Sequence, residues 1–287
     1  MADLKTIIAI TQDQLKKQVP THQAVLGALE NLRPREADVL ARRAGLREGK
    51  VETLQEIGAD FGVSRERVRQ IEKQGTTKFT EQLGQQPLAD ILRLALGLIR
   101  ESGGVLGKDQ LAREFLPESQ QTDAGKNALS FVLEQSGEVV VLPESKDFHC
   151  AYGLSKAHLA AAEAVRPMLV EALNTAKKPQ TPAALLSTVS KRDDLGEHAH
   201  LVTEALIESV LEIGCAFVPA ESGTYGLAEW PEINPKNIRE KTLFILKKVQ
   251  TPLHFTEITE QIKGAKFDTK PVTTQAVHNE LINGKEF

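Results

Sequence analysis

The segment from Thr53 to Lys78 constrains this chain more than any other, because it carries start and stop signals for two helices separated by a tight turn. Thr53-Leu54-Gln55-Glu56 has the form of a capping box. In that motif the threonine oxygen accepts from the third helical amide while the glutamate reaches back to the threonine amide. Apolar Leu54, Ile57 and Phe61 follow at helical spacing. Gly62 stands where the first helix must stop in a left-handed conformation, which glycine adopts cheaply. Ser64 is a good N-cap for a second helix, and Val63 and Val68 occupy the two positions of a hydrophobic staple. Small Gly58 lets the second helix cross close to the first, with Val63, Val68 and Ile71 filling the angle. A three-residue turn with glycine and this apolar pattern is what a DNA-binding helix-turn-helix requires.

The second helix, expected over 64–78, presents Arg65, Glu66, Arg69, Gln70 and Lys73 on one outer face, at i, i+1, i+4, i+5 and i+8. Arginine can pair bidentately with guanine, glutamine with adenine, and glutamate can accept from cytosine. A solvated charged face is the common meaning of such a pattern. Here capping, glycine, staple and charge agree on one geometry, and the groove-reading helix is preferred. The net charge of −4 does not announce a nucleic-acid binder, but its distribution does. Between Gln23 and Lys78 there are 11 basic and 9 acidic residues, a local +2 that leaves −6 for the rest.

The string Leu32-Arg33-Pro34-Arg35-Glu36-Ala37-Asp38-Val39-Leu40, then Gly45-Leu46, then Thr53 to Gly58, then Val63-Ser64-Arg65-Glu66-Arg67-Val68-Arg69-Gln70-Ile71-Glu72 resembles region 4 of the primary sigma factors. The resemblance covers residues 22–80. It implies a three-helix domain that binds the −35 promoter element in double-stranded DNA and the flap of the RNA polymerase β subunit. By position, Arg65, Glu66, Arg69 and Gln70 would contact bases, and Arg67 and Lys73 would touch phosphate or flank the groove. Two departures stand out. Gly75 falls inside the expected recognition helix, where glycine costs about 1 kcal/mol relative to alanine. Nothing upstream resembles the domain that opens the −10 element, so promoter melting is not expected.

After Gly84-Gln85-Gln86-Pro87 the chain repeats itself. Tyr152-Gly153-Leu154 recurs as Tyr225-Gly226-Leu227, each after a β-prone run, Val139 to Leu142 and Cys215 to Val218. Amphipathic stretches precede them, including Leu129 to Leu133 and Leu201 to Leu211. Three helices closed by a two-stranded hairpin is the winged-helix plan. A third copy begins near Pro235, with Thr251-Pro252 expected to open a helix as Thr181-Pro182 does. There Pro252 to Ile258, followed by Val277-His278-Asn279-Glu280-Leu281, resembles the HARE-HTH family, whose winged helices occur in the delta subunit of some bacterial RNA polymerases. His254 and His278 are expected to pack or cap rather than ligate. The winged units could bind DNA or protein, and their acidic balance leans toward protein. Phe287 precedes the point where the third copy would close its hairpin, so the expectation is either a fragment of a longer protein or a last copy that is incomplete.

The expected fold is therefore mainly α: a tri-helical helix-turn-helix domain followed by tandem winged-helix modules with small β-hairpin wings. Its units are an N-terminal helix or extension (1–21), a region 4-like domain (22–84), and units at 87–155, 156–230 and 234–287. No catalytic, cofactor-binding or metal site is expected. Gly103-Gly104-Val105-Leu106-Gly107-Lys108-Asp109 fails as a phosphate loop, because the glycines are spaced one residue short and Asp109 stands where a serine or threonine is needed. It is expected to be a turn leading into a helix. His198-Ala199-His200 lacks a third ligand nearby, and Cys150 and Cys215 lack metal-ligand spacing. Two cysteines, no leader and no long apolar run point to a cytoplasmic, nucleoid-associated protein. Its expected partners are double-stranded DNA and RNA polymerase, with neither a membrane nor a small-molecule substrate.

Overall fold

Four helices come first from Pro20 onward: α1 (Thr21–Leu29), α2 (Pro34–Arg43), α3 (Leu54–Phe61) and α4 (Arg65–Thr80). Pro34 opens α2, where its missing amide costs nothing, and Glu36 accepts from the Arg33 amide at 3.2 Å. The computed structural model describes Asp13, residues 20–265, Phe267 and residues 272–284. Most of the N-terminal helix expected over 1–21 lies outside the described residues.

A repeated unit follows. Its first copy is α5 (Leu88–Glu101), β1 (Val105–Gly107), α6 (Lys108–Phe115), α7 (Asp123–Ser136), β2 (Val140–Leu142) and β3 (Ala151–Gly153). The strands form an antiparallel sheet in the order β1-β3-β2, with Tyr152 opposite both Leu106 and Val141. The second copy is α8 (Lys156–Ala176), α9 (Pro182–Val189), α10 (Glu204–Ile213) and a hairpin of β4 (Phe217–Pro219) with β5 (Tyr225–Leu227). A single bridge from Gln180 to Tyr225 takes the place of β1. The third is α11 (Ile238–Val249), α12 (Phe255–Gly264) and α13 (Thr274–Asn283). The chain is thus mainly helical with small antiparallel sheets.

The repeated Tyr-Gly-Leu has a physical content that the sequence alone conceals. Tyr152 donates its hydroxyl to Glu134 of α7 at 3.1 Å, and Tyr225 donates to Glu212 of α10 at 2.6 Å. Each tyrosine thereby ties its strand to the last turns of the preceding helix, and burial pushes both phenols up. The glycine between lets the chain close: a Cβ on Gly153 would stand 2.6 Å from Leu159 at the start of α8.

Three expectations are corrected. Gly103 to Asp109 is not simply a turn into a helix, because Val105–Gly107 pairs as a strand before α6 begins. Thr251-Pro252 opens no helix. The helix begins at Phe255, because His254 caps it, accepting from the Thr256 amide while its own amide donates to Glu257 at 2.7 Å. His278 packs edge-on against Phe255 with ring centroids 4.8 Å apart, so both histidines cap or pack.

The third correction concerns boundaries, since neither 84–87 nor 155–156 separates two cores. Val25, Leu29, Leu40, Phe79 and Leu83 share one apolar cluster with Ile91, Leu129 and Phe131. The Phe79 and Phe131 rings meet at 4.7 Å. Asn127 of α7 donates to the carbonyls of Gly45 and Gly49 at 3.2 and 3.1 Å, fixing the loop between α2 and α3. One unit further on, α10 packs against the preceding unit in the same manner. Gly103, at φ +76, comes so close that a Cβ would lie 2.4 Å from the Leu206 amide nitrogen. Ser209 donates to the Ser102 carbonyl at 2.7 Å, and the His149 amide to the Ile213 carbonyl at 2.8 Å. Ile245, Ile258, Ile262, Val272 and Val277 form a core of their own in the third unit.

Phe131→Ala is expected to cost about 3 kcal/mol by thermal or denaturant unfolding. It should also quicken proteolytic cleavage near Gly84 to Pro87, since the ring that seats α4 on α7 is gone.

Candidate nucleic-acid interface

The helix-turn-helix forms for the local reasons its sequence states. Thr53 accepts from the Glu56 amide at 3.2 Å and its own amide donates to Glu56 at 2.7 Å. Gly62 ends α3 at φ 64, and Ser64 accepts from the Arg67 amide at 3.2 Å to start α4. Val39, Ile57, Val68 and Ile71 form the core between the helices, with Leu54, Phe61 and Val63 packed around it. At Gly58 a Cβ would lie 2.8 Å from the Val63 carbonyl oxygen, so the turn folds back directly over the first helix.

Gly75 is also explained. A Cβ there would approach Leu40 to 3.1 Å and Glu36 to 3.3 Å. This glycine marks the closest crossing of α4 over α2. Its helix-propensity cost is set against that approach, rather than being a defect in α4.

Ion pairs then fix α4 from behind. Lys78 places its ammonium 2.7 Å from both oxygens of Glu36, a carboxylate only 3 % exposed. Hydrogen bonding to Lys78 holds the Glu36 carboxyl below the usual range against the opposing effect of burial. Arg43 donates to Glu72 at 2.9 Å and to the Glu52 carbonyl at 2.6 Å. Arg42 grips Glu52 through two nitrogens, at 3.0 and 2.6 Å, and reaches Asp60 at 2.6 Å. These contacts tie α2, α3, their connecting loop and α4 into one body.

The opposite face of α4 is open, and all six expected contact residues, Arg65, Glu66, Arg67, Arg69, Gln70 and Lys73, are exposed. Four of them are paired along the helix. Glu66 takes the Nε and Nη2 edge of Arg69 at 2.8 and 2.6 Å, which draws its carboxyl down. Arg67 donates from Nη1 to Gln70 Oε1 at 3.1 Å. The two bonds to Glu66 leave Nη1 of Arg69 outside that pairing. Side chains that hold one another extended lose less freedom when they meet a base edge.

One other cluster has the outline of a nucleophilic triad: Cys215 Sγ lies 3.8 Å from His149 Nε2, whose Nδ1 lies 2.9 Å from Glu144. Its electrostatics oppose catalysis. Burial, and then the Glu144 carboxylate, push the Cys215 thiol up, so the sulfur stays protonated. The Cys215 amide is already committed to the Asp147 carbonyl at 3.0 Å and cannot serve an oxyanion. Among the described residues no group of three or more His, Cys, Asp or Glu could hold a metal ion, and no helix is long and apolar enough to cross a membrane.

A family model described as Sigma-70, region 4 matches residues 28–79. The RNA polymerase sigma factor SigA of Nostoc sp. is 45% identical over 67 residues, 23% of this chain and 17% of that protein. SigA of Clostridium acetobutylicum is 41% identical over 70 residues, 24% of this chain and 18% of that protein. The chain thus spans under a fifth of the length of the curated relatives it matches. No solved structure matches it. The similarity to HARE-HTH domains at 252–281 finds no support in these comparisons.

Lys78→Met should strand the Glu36 carboxylate and cost about 2 kcal/mol at neutral pH, a figure reduced from that of a fully buried pair because Lys78 is itself partly exposed. In the parent the Glu36 carboxyl is depressed on folding, so its contribution is present above the unfolded value near 4.3 and is lost as pH falls through the folded value. Chemical denaturation at pH 7 and pH 4 should therefore show the gap between parent and variant narrowing in acid.

Proposed function

We propose that this chain is a transcription regulator that reads a −35-type promoter element through α4, with Arg65, Glu66, Arg69 and Gln70 at base edges and Arg67 and Lys73 at phosphates. The observation that carries this reading is the exposure of all six residues on a helix clamped from behind by Lys78–Glu36 and Arg43–Glu72. The likeness to sigma region 4 over residues 28–79 supports it. Arg69 would turn Nη1 to guanine while Glu66 holds Nε and Nη2, so the pair acts as one recognition unit. Residues 88–153 and 156–227, each three helices and a hairpin, would be tandem winged-helix modules serving as a rigid arm.

A second reading is a polymerase adaptor that grips the β flap and does not read sequence. It draws on the acidic arm: residues 79–233 hold 12 basic and 22 acidic side chains, a net −10 that suits a protein partner better than a phosphate backbone.

The two readings separate in fluorescence anisotropy of the full chain, across a salt series, with duplexes carrying a −35-type hexamer or its scramble. Base reading predicts binding of the intact hexamer tighter by several tenfold steps at physiological salt, on the order of specific protein–DNA discrimination. Arg69→Ala with Gln70→Ala should then reduce that preference by roughly tenfold or more per lost base contact. Equal, purely salt-dependent binding of both duplexes would reject base reading. Polymerase capture that survives the double substitution would then favour the adaptor.

A further inference from the structure

In the strand order β1-β3-β2 of the first unit, β3 is central and β2 has a neighbour on one side only. Which backbone groups of β2 turn outward follows from the bonds that β3 makes. The Leu154 amide donates to the Gly104 carbonyl at 2.9 Å, and the Lys108 amide to the Cys150 carbonyl at 2.8 Å. By the alternation of an antiparallel ladder, Tyr152, midway between those pairs and opposite Leu106, also directs its amide and carbonyl at β1. Ala151 and Gly153 therefore serve β2, through their partners Leu142 and Val140. Val141 lies between those two, so its N–H and C=O point away from the sheet. Among the described residues no hydrogen bond reaches either group, and Val141 is 41% exposed.

The second unit has the same edge with its donor removed. Tyr225 exchanges two backbone bonds with Gln180, at 2.8 and 3.0 Å, and the residue on its other side is Pro219. Proline offers no N–H, and it is one of the devices that keep a sheet edge from pairing. In the first unit that place, opposite Tyr152, belongs to Val141. There a proline comes only two residues later, at Pro143, where it ends the edge without blocking it.

The side chains suit an added strand as well. Of the three consecutive valines, Val139 packs on the core of the first unit and Val140 on that of the second, while Val141 is left exposed. Val141 shares a face with Tyr152, whose ring belongs to the apolar cluster of the first unit. A strand laid beside β2 would cover Val141 and extend that cluster by one cross-strand pair.

Charge selects the strand. Glu138 and Glu144, three residues to either side of Val141, are both exposed. Lys146 lies further on, in the turn where the Ser145 amide donates to the Phe148 carbonyl at 2.9 Å. A second copy paired antiparallel about Val141 would set Glu138 of each copy opposite Glu144 of the other, like charge against like. It would also set Val139 opposite Pro143, where a donor is missing. A foreign strand with basic residues on either side of an aliphatic centre meets neither obstacle.

We propose that β2 is a docking edge for an extended segment of another protein, aliphatic at its centre and basic toward both ends, which joins the sheet as a fourth strand beside Val141. Main-chain bonds would give the attachment and the flanking carboxylates its selectivity.

The test uses the full chain and a fluorescent synthetic peptide, Lys-Lys-Thr-Val-Ile-Val-Thr-Lys-Lys. One control peptide is methylated on its three central amide nitrogens, and another carries glutamate at every lysine. In anisotropy the parent should bind the basic peptide, and methylation, which removes the donors, should weaken binding by about tenfold or more. The glutamate peptide should bind weaker by about tenfold as well. Val141→Pro, which copies the residue the second unit has at Pro219, should lose the basic peptide while the thermal melt stays that of the parent. Glu138→Lys should weaken the basic peptide and not the glutamate one. If Val141→Pro lowers the melt, the methylated peptide carries the test, because it leaves the protein untouched. Equal binding of the methylated and unmethylated peptides, or no binding of the basic peptide up to millimolar concentration, would overturn the proposal. So would a parent dimer in sedimentation that Val141→Pro dissolves, since a second copy would then be the occupant.

Discussion

The underside of the region 4-like domain is apolar, and the way it is kept from water decides the rest of the architecture. Val25 and Leu29 of α1, Leu40 of α2 and Phe79 of α4 lie on one side of three short helices that are too few to enclose them. A domain of some sixty residues buries a comparatively small share of its surface and is correspondingly marginal. Here α7 of the next unit supplies the missing layer, with Leu129 and Phe131 entering the same cluster. Helix α4 is consequently mounted on the unit that follows it. It cannot swivel on a linker at Gly84 to Pro87, because the chain on either side of those residues contributes to one core.

The polar contacts complete what the apolar ones begin. Buried hydrophobic packing is nondirectional, and by itself would leave the angle of α4 poorly specified. Glu36 supplies direction. A carboxylate taken almost wholly out of water is tolerable only with its partners in place, and it has two, the Arg33 amide and the Lys78 ammonium. One partner lies at the start of α2 and the other near the end of α4, so the desolvation cost falls due whenever the two helices slide apart. Gly75, one turn before Lys78, removes the side chain that would otherwise hold those helices further apart. The close crossing and the buried ion pair are thus a single device.

How much of this was legible in the sequence depends on the range of the interaction. The helix-turn-helix is written in local terms, with Thr53 and Glu56 three residues apart, Gly62 at the stop and Ser64 at the restart, and all of it is found as read. The hairpins were visible because Tyr-Gly-Leu recurs, although Glu134 and Glu212, which give the tyrosines their partners, carry no sequence signal of their own. Thr251-Pro252 misled because a threonine–proline pair mimics a cap, while the His254–Glu257 box that starts α12 has an unusual first residue. Gly75 looked like a cost because its compensation comes from Leu40 and Glu36, far away in sequence. The merged cores stayed hidden for the same reason: a composition break such as Gly84 to Pro87 reports the local chain, whereas a domain boundary is a statement about distant contacts.

Mounting the exposed face of α4 on an acidic arm would have, for the proposed DNA reader, an electrostatic consequence beyond rigidity. A flexible tether would let the helix-turn-helix approach a duplex from many directions. With the arm fixed beside it, any approach that lays residues 79–233 along the phosphates sets a net −10 against the duplex and is repelled. For the DNA reader proposed above, the orientations that survive would be those presenting the exposed face of α4 while the arm points away, so the same charges that weaken non-specific attraction would narrow the set of productive encounters. That selectivity exists only while α7 stays seated. Under the proposed function the Phe79–Phe131 contact and the hydrogen bonds of Asn127 would therefore serve recognition as well as stability, although none of those side chains would touch a base.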